Sequence, residues 1–284
     1  MARRSLIPST PTDVRLVRHE FRDAQRYAAE HVGTTPQAHF FNTRLQRVEE
    51  MLGAGRTGSI LSVGCGPAKS AELLCDTAAH FVGLDISEEM VRWAKENVGA
   101  KGRTHFAVGL ADSLPFPESS FEVVLCLGVV EYLSDCTAAF AEIARVLKDD
   151  GWALVSMHNR ASPYRMWLRY GPGRLRRAGR KLSRALTSRA ARAGDSEPHA
   201  PFTVYSEKRL GELLTSSGLV VDDILYYDFN LFLSPLDRWF PKASVRVSAS
   251  LERFCRSRLR NLGSAYLLRA RKKPQRVPGE AFSG

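Results

Sequence analysis

The sequence predicts an α/β fold, and three observations between residues 58 and 127 lead to this prediction. An apolar run over residues 58–63 stops at two glycines, Gly64 and Gly66, in the pattern of a strand that enters a tight turn. The next apolar run ends at Asp85, 19 residues beyond Gly66, the spacing at which a βαβ unit brings its second strand end beside the first. Strand-like and helix-like segments alternate as far as residue 127, which is typical of a parallel sheet with helical crossovers.

The remaining elements follow in order along the chain. Strands are predicted at residues 58–63, 81–84, 106–108, 122–127, 152–157, 220–227 and 263–270. Two helices are predicted within residues 12–53, one over 68–76, one that Ser87 caps and that runs to 97, and one that Ser206 caps and that runs to 217. Residues 235–259 are predicted to be mostly helical.

The glycine pair and Asp85 together predict a nucleoside-binding edge of the sheet. A ligand can approach backbone that lacks side chains, and a carboxylate at Asp85 can accept hydrogen bonds from both hydroxyls of a ribose. The glycines alone would fit a turn without a ligand equally well, because short glycine motifs recur by chance. A dinucleotide dehydrogenase would need a third glycine at position 69, where this chain has Lys69.

The motifs between residues 58 and 158 resemble those of one family. They are Val63-Gly-Cys-Gly-Pro67, Gly83-Leu-Asp-Ile-Ser87, Leu114-Pro-Phe116 before Ser120-Phe121, Leu127-Gly-Val-Val-Glu-Tyr-Leu133 and Leu147-Lys-Asp-Asp-Gly151. Together they resemble the class I S-adenosylmethionine-dependent methyltransferases, in the group of the ubiquinone and menaquinone pathway enzymes. The resemblance implies S-adenosylmethionine as cofactor and a Rossmann-like, doubly wound sheet of seven strands whose last strand is antiparallel. It also implies N-terminal helices that fold over the cleft.

The resemblance further implies which residues contact the cofactor. The backbone at the two glycines of the turn would lie alongside its methionine part, Asp85 would hold its ribose, and Ile86 would pack on its adenine. The implied set is Gly64, Cys65, Gly66, Asp85, Ile86, Leu110, Ala111, Asp112 and Leu127.

The chain departs from the family pattern at three positions. Ser62 and Leu110 stand where acidic residues are common, and Ala68 stands where glycine is usual. Asp112 is predicted to take over the adenine contact from position 110. These departures leave open a third class of function, a cofactor-binding fold that transfers no methyl group.

Methyl transfer needs alignment in a dry cleft, and it needs a general base only when the acceptor arrives protonated. His158, just beyond the fifth predicted strand, is the first candidate for the base, and Glu131 and Tyr132 are its rivals. Each has a structural alternative, in which the histidine hydrogen-bonds a loop and the other two cap or pack a helix. Tyr27 and His39 on the N-terminal helices are predicted to face substrate or to lie in the core.

The positive charge of the chain is concentrated in one segment. The formal net charge is +11, and residues 151–194 contain eleven Arg and Lys side chains with no Asp or Glu. This segment predicts a basic helical insertion after strand five that guides an anionic acceptor, or one carried on an anionic membrane surface or acidic carrier protein, through residues 160–192. Tyr164 and Trp167 within it are predicted to contact substrate. A solvated arm without a partner is the alternative.

Composition sets the outer limits of the prediction. The chain has 284 residues, 44% of them hydrophobic, and no apolar stretch of membrane-spanning length or secretory signal is visible, so a cytoplasmic location is expected. Five cysteines without a paired CxxC spacing predict neither disulfides nor a zinc site, and no metal is expected.

The predicted organisation has five parts and leaves two enzyme classes open. The parts are an N-terminal helical cap at 1–55, a cofactor-binding core at 56–158, the basic insertion at 159–204, the C-terminal part of the core at 205–272 and a tail at 273–284 that is predicted to fray. A methyltransferase for a small or amphipathic acceptor is the leading prediction. An RNA methyltransferase is the alternative, although the chain lacks the Asn-Pro-Pro-Tyr type of loop and any appended nucleic-acid module.

Overall fold

One seven-stranded sheet organises the chain. The computed structural model describes residues 14–53, 58–99, 103–170, 202–234 and 236–273. The strands are β1 (Ser59–Val63), β2 (His80–Asp85), β3 (Thr104–Val108), β4 (Phe121–Cys126), β5 (Leu147–His158), β6 (Leu219–Tyr227) and β7 (Ala265–Lys272). Their order is β3-β2-β1-β4-β5-β7-β6. Strands β1 to β5 pair in parallel, and β7 is antiparallel to both β5 and β6. The predicted doubly wound α/β sheet with an antiparallel last strand is confirmed.

The helices pack around this sheet. They are α1 (Val14–Glu20), α2 (Ala24–Ala29), α3 (Pro36–Leu52), α4 (Lys69–Leu74), α5 (Glu88–Asn97), α6 (Thr137–Val146), α7 (Pro163–Tyr170), α8 (Glu207–Ser216), α9 (Leu236–Trp239) and α10 (Pro241–Leu251). Short 3-10 turns lie at Val130–Tyr132, Glu252–Phe254 and Arg260–Leu262. The side chains of Ser87 and Ser206 accept hydrogen bonds from the amides of Met90 and Arg209, so both predicted N-caps are confirmed.

The N-terminal region has three helices, where the sequence predicted two. The chain turns after α1, and the Asp23 side chain accepts a hydrogen bond from the Arg26 amide, which starts α2 as a separate helix. Thr35 caps α3 in the same way through the Ala38 amide, with Pro36 in the first helical turn. Two capping side chains within a short segment therefore divide a pattern that hydrophobic spacing alone presents as continuous.

The core lies on both faces of the central strands. Leu61, Phe81 and Leu125 are fully buried in β1, β2 and β4, as expected for parallel strands covered by helices on both sides. Phe140 and Ile143 of α6 are equally buried. Each such side chain contributes roughly 1.5–3 kcal/mol through burial. The rigid layer holds the carboxyl ends of β1, β2, β4 and β5 at one edge, where ligands bind in doubly wound sheets.

Some predictions fall outside the described residues. Most of the basic insertion does so, because the structure describes only its beginning, through α7, and its end from Phe202. The predicted tail also lies outside, and the five-part division of the chain stays a prediction. Within the described residues, no helix has the length and apolar character needed to span a membrane. All five cysteines are buried as free thiols.

Candidate active site

The turn after β1 has the backbone shape that its glycines allow. Gly64 and Gly66 have φ angles of 66° and 52°, in the left-handed region that side chains disfavour. A Cβ atom on Gly64 would lie 2.1 Å from Cγ2 of Val129, so this position leaves no space for a side chain. Ala68, where the family pattern has glycine, also adopts a left-handed conformation with φ 61°. Alanine is strained there by roughly 1 kcal/mol, which gives a physical reason for the usual glycine.

Asp85 closes the turn from the end of β2. Its Oδ2 accepts a hydrogen bond of 2.8 Å from the Gly66 amide, and its Oδ1 accepts one of 2.9 Å from the Ser87 amide. Burial raises the pKa of this carboxyl, and the backbone donors act in the opposite direction. Each carboxylate oxygen can accept a second hydrogen bond, so Asp85 can hold the turn and still receive hydroxyl donors from a ligand.

A cavity of about 310 Å³, the cofactor cavity, opens at this edge of the sheet. All nine residues that the sequence predicted for cofactor contact line it: Gly64, Cys65, Gly66, Asp85, Ile86, Leu110, Ala111, Asp112 and Leu127. The resemblance implied a cover of N-terminal helices, and its residues here are Val14, Val17 and Phe21, on α1 and the loop after it. Arg18 fixes this cover by donating its Nε–H to the Ile86 carbonyl at 3.0 Å.

The cofactor cavity fits S-adenosylmethionine on its own features. The left-handed turn at Gly64 and Gly66 presents backbone without side chains, which gives the close approach that the methionine part needs. The buried Asp85 carboxylate suits ribose hydroxyls, and apolar side chains at Ile86 and Leu110 offer surfaces to an adenine ring. Arg44 supplies positive charge for a carboxylate, and Lys69, which pairs with Glu72 at 2.8 Å, lines the same cavity.

A second and larger cavity, the acceptor cavity, adjoins the first. Its volume is about 660 Å³. Five residues line both cavities: Phe21, Tyr27, Arg44, Gly128 and Tyr132. Aromatic rings form much of the shared wall, because Phe21 makes edge-on contacts with Tyr27 and Tyr132 at centroid distances of 5.4 and 5.2 Å. A molecule in the acceptor cavity would therefore lie next to one in the cofactor cavity.

Glu131 lies buried at the acceptor cavity, 3% exposed, in the short turn after β4. Its Oε2 has no hydrogen-bond partner among the described residues. Burial raises its pKa to about 7, against the opposing effect of the Arg44 and Arg165 charges. A carboxyl with this pKa and an unoccupied oxygen can take a proton near neutral pH.

His158 lies in the same cavity but is engaged by an arginine. The guanidinium of Arg165 donates through Nη2 to the imidazole, with the contact to Nε2 at 3.1 Å and a shorter one to Nδ1. Burial lowers the pKa of His158 well below its usual value, and the Arg165 and Arg44 charges lower it further. The imidazole is therefore neutral at physiological pH, and the arginine donates to its free lone pair.

Of the other predicted site residues, the three tyrosines line the cavities, whereas the histidine on α3 and the tryptophan on α7 do not. Tyr27 lines both cavities, and Tyr132 lines both beside Glu131. Tyr164 lines the acceptor cavity, with its hydroxyl donating to Asp237 at 2.7 Å. His39 lines neither cavity, and its Nε2 pairs with Ser248 Oγ between α3 and α10 at 3.0 Å. Trp167 also lines neither, because its indole N–H donates to the Ser234 carbonyl.

Four arginines line the acceptor cavity, and none was predicted as a site residue; Arg44 and Arg165 are the two whose charges act on Glu131 and His158. Arg44 follows Phe40 by one helical turn on α3, a spacing that places both on one face and could have indicated a shared role. Its guanidinium lies 5.2 Å from the ring centre of Phe41 and 5.9 Å from that of Phe40. Arg165 had no distinguishing signal, because it is one of eleven basic residues in its segment.

Comparison with known proteins places the geometry in a family. Residues 61–155 match the family described as a methyltransferase domain, and this range contains the glycine turn, Asp85 and Glu131. Residues 61–155 form a class I S-adenosylmethionine-dependent methyltransferase domain. The predicted family and cofactor are confirmed for this domain.

Two curated relatives of this methyltransferase domain carry more specific names. A probable S-adenosylmethionine-dependent methyltransferase of Mycolicibacterium smegmatis is 30% identical over 186 residues, covering 65% of this chain and 60% of that protein. A ubiquinone biosynthesis O-methyltransferase of Thiobacillus denitrificans is 30% identical over 103 residues, covering 36% of this chain and 44% of that protein. The chain thus spans about half the length of the curated relatives it matches.

A solved structure shows how widely the fold extends beyond this domain. The 4+2 cyclase SpnF is similar over 95% of this chain and 99% of its own length, with a TM-score of 0.60 and 20% identity. At that identity the similarity concerns the fold, and function has to be argued from the site.

Proposed function

We propose that this chain transfers a methyl group from S-adenosylmethionine to a small or amphipathic organic acceptor bound in the acceptor cavity. The observation that carries the proposal is the wall shared by the two cavities, which includes Phe21, Gly128 and Tyr132. In-line displacement requires the methyl donor and the acceptor atom in contact and in line. S-adenosylmethionine supplies a methyl group made electrophilic by a sulfonium charge, so the residues of this chain have to align, enclose and deprotonate the acceptor.

Enclosure comes from the N-terminal helices and their connection. The ring of Phe21 packs between Tyr27 and Tyr132 at the junction of the cavities. Ser87 Oγ donates to the Phe21 carbonyl at 3.3 Å and thereby ties this cover to the start of α5. Aromatic rings at the junction exclude water from the transfer path and favour a flat or apolar acceptor.

Glu131 is the residue we propose as general base. Its unpartnered Oε2 and its pKa of about 7 suit proton removal from a phenol, an alcohol or an activated carbon acid. His158, the first candidate from the sequence, has its lone pair occupied by Arg165 and is a weak base. Burial raises the pKa of Tyr132, which makes its phenolate a costly species in this site.

We further propose that the acceptor is delivered from an anionic lipid surface. Met166 and Tyr170 on α7, and Trp239 and Phe240 at the end of α9, expose large apolar side chains. These two helices meet through the Tyr164–Asp237 hydrogen bond at the acceptor cavity. The residues that follow α7 carry the basic charge noted above. Apolar side chains beside arginines are typical of segments that bind the interface of anionic membranes.

Vesicle flotation tests the lipid surface. Vesicles of phosphatidylglycerol should carry the protein upward, whereas vesicles of phosphatidylcholine should not. Exchange of the two aromatics, Trp239→Ser with Phe240→Ser, should reduce flotation at least five-fold. Leu259→Ser, which changes an exposed apolar residue near β7, is the matched control. Equal flotation of all variants, or binding to an acidic carrier protein with none to vesicles, would overturn the lipid assignment.

A label-transfer assay tests the methyltransferase proposal itself. The protein is incubated with methyl-tritiated S-adenosylmethionine and either a pool of phenolic and carboxylic small molecules or total RNA. Label should enter an organic-extractable product, and Glu131→Gln should reduce it about 100-fold or more. Asp149→Asn, at a side chain 78% exposed, should leave it unchanged. Label confined to RNA, or cofactor binding without transfer to any pool, would contradict the proposal.

A further inference from the structure

We propose that Arg165, with Arg44 beside it, binds an oxyanion of the acceptor, so that the substrates of this site are carboxylates or phosphate monoesters on an apolar body. The inference rests on the proposed function, because it names the substrate class of the same acceptor cavity. Its basis is a cluster of charged side chains that the chain leaves incompletely paired.

Arg165 has an N–H group at the cavity that is not used in a hydrogen bond among the described residues. Its Nη2 donates to His158, whereas its buried Nε has no acceptor among the described residues. The pKa of Arg165 is lowered by burial, while Asp228 and Tyr164 act in the opposite direction. A buried N–H without an acceptor is costly, and a ligand oxyanion would remove that cost.

Arg44 adds a second positive charge at the same place. Its Nε is also buried without an acceptor among the described residues. It lines both cavities, whereas Arg165 lines the acceptor cavity alone. The charges of both arginines lower the pKa of His158, which shows that both act on the same point of the cavity. Arg165 is therefore the residue whose replacement separates acceptor binding from cofactor binding.

Acidic side chains also line the acceptor cavity, but within the described residues none forms an ion pair with Arg165 or Arg44. Asp228 accepts a short hydrogen bond from Ser264 Oγ, and no ion pair within the described parts of the chain joins it or Glu131 to Arg165. Burial raises the pKa of Asp228 to about 6 and that of Glu131 to about 7. Both carboxyls are therefore protonated more readily than ordinary carboxyls, which reduces their negative charge beside the arginines as the pH falls towards these values.

The aromatic side chains around His158 indicate the chemistry of the part of the acceptor that carries the oxyanion. Phe40 lies over His158 at a centroid distance of 5.4 Å, and Phe202 lies on the same imidazole at 5.6 Å. The neutral imidazole lies against both rings and accepts a hydrogen bond from Arg165, so it holds the guanidinium beside this aromatic group. His158 is thus a positioning residue, and an oxyanion attached to an aromatic or similarly flat apolar group matches both the charge and the rings.

Binding of three probes of one shape tests the inference. We compare 2-naphthoate, 2-naphthyl phosphate and the neutral 2-naphthamide by calorimetry, each with S-adenosylhomocysteine present. At least one anion should bind wild type ten-fold or more tightly than the amide, and the tighter one assigns carboxylate or phosphate. Arg165→Gln should abolish this preference without changing amide binding. Arg165→Lys keeps the charge and should retain part of the preference for the anions. This second variant keeps the test decisive if Arg165→Gln folds poorly.

The control variant is measured with the same three probes. Arg209→Gln removes an exposed arginine on α8 that pairs with Glu212, and it should bind all three probes as wild type does. Equal affinity of wild type for the anions and the amide, or an unchanged preference in both Arg165 variants, would overturn the inference. S-adenosylhomocysteine binding and label transfer are measured separately. Their failure would remove the proposed function and leave the result on the anion standing.

Discussion

Gly66 donates its backbone N–H to Asp85 Oδ2 at 2.8 Å, across 19 residues of sequence. This hydrogen bond joins the turn after β1 to the end of β2, the two places from which ligands are bound in doubly wound sheets. The other oxygen of the carboxylate accepts from the Ser87 amide at the start of α5. One side chain therefore fixes the shape of the cofactor cavity from two directions.

The turn gives the first prediction, for Gly64→Ala. The new methyl group would meet Val129 Cγ2, and the backbone has a φ of 66°. We expect a loss of roughly 2–4 kcal/mol in the free energy of unfolding, from left-handed strain and overpacking together. Urea denaturation measures it. The double variant with Val129→Ala removes the clash but keeps the strain, so it should recover part of the loss. Full stability of Gly64→Ala would contradict the described turn.

The assignment of the base gives the second prediction. The pKa of Glu131 is about 7, and the base acts when ionised, so kcat/KM should rise with pH through a limb near 7. Glu131→Gln should lower the rate about 100-fold or more and remove this limb. Initial rates between pH 5.5 and 9, with the acceptor identified by label transfer, provide the measurement.

His158→Asn separates the two candidate bases. The pKa of His158 lies well below its usual value, so this side chain does not titrate between pH 6.5 and 8. Its replacement should keep the limb near pH 7, and it should raise KM for an anionic acceptor because the smaller amide does not hold Arg165 in the same position. Loss of the limb in His158→Asn and its survival in Glu131→Gln would restore histidine as the base.

The third prediction concerns stability and pH. The carboxyl of Glu131 has a pKa of 4.5 when unperturbed and about 7 in the fold, so the folded state binds more protons between these values. The free energy of unfolding should therefore fall as pH rises through that window, by on the order of 3 kcal/mol from this group. Glu131→Gln, which mimics the protonated form, should be more stable than wild type at pH 8 and similar to it at pH 5.

Urea titrations at the two pH values decide this third prediction. Glu118→Gln, at an exposed glutamate before β4, is the control and should follow wild type at both. An equal difference between Glu131→Gln and wild type at pH 5 and pH 8 would mean that Glu131 has an ordinary pKa. Glu131 would then lack the raised pKa on which its assignment as the general base depends.

The sequence was sufficient for the elements whose residues interact locally or with a neighbouring strand. The helix cap at Ser87 and the position of Asp85 follow from short-range hydrogen bonding and from the length of a βαβ unit. The number of N-terminal helices was wrong, because the Asp23 cap breaks a segment whose apolar spacing continues through it. Strand boundaries differed by at most five residues, the largest difference being the earlier start of β5 at Leu147.

Candidates such as Glu131 and His158 in the acceptor cavity were predicted from the strand ends, but its arginines were not, because they reach the cavity only through tertiary packing. Arg44 comes from α3 and Arg165 from α7, more than a hundred residues apart in sequence. A basic residue in a strongly basic segment has no signal that distinguishes a buried guanidinium from a solvated one. His158 was predicted as a strand-end histidine, but its pKa is lowered first by burial and then by Arg165, one helix further along.

Calorimetric titration with S-adenosylhomocysteine tests the central claim most directly, that Asp85 and the glycine turn bind the cofactor. Wild type should bind one molecule per chain. Asp85→Asn should bind it roughly 30- to 100-fold more weakly, because a hydrogen bond to a charged group contributes about 2–3 kcal/mol. Asp149→Asn, at an exposed carboxyl after α6, should bind as wild type does. Absence of binding by wild type, or equal affinity of wild type and Asp85→Asn, would contradict the account.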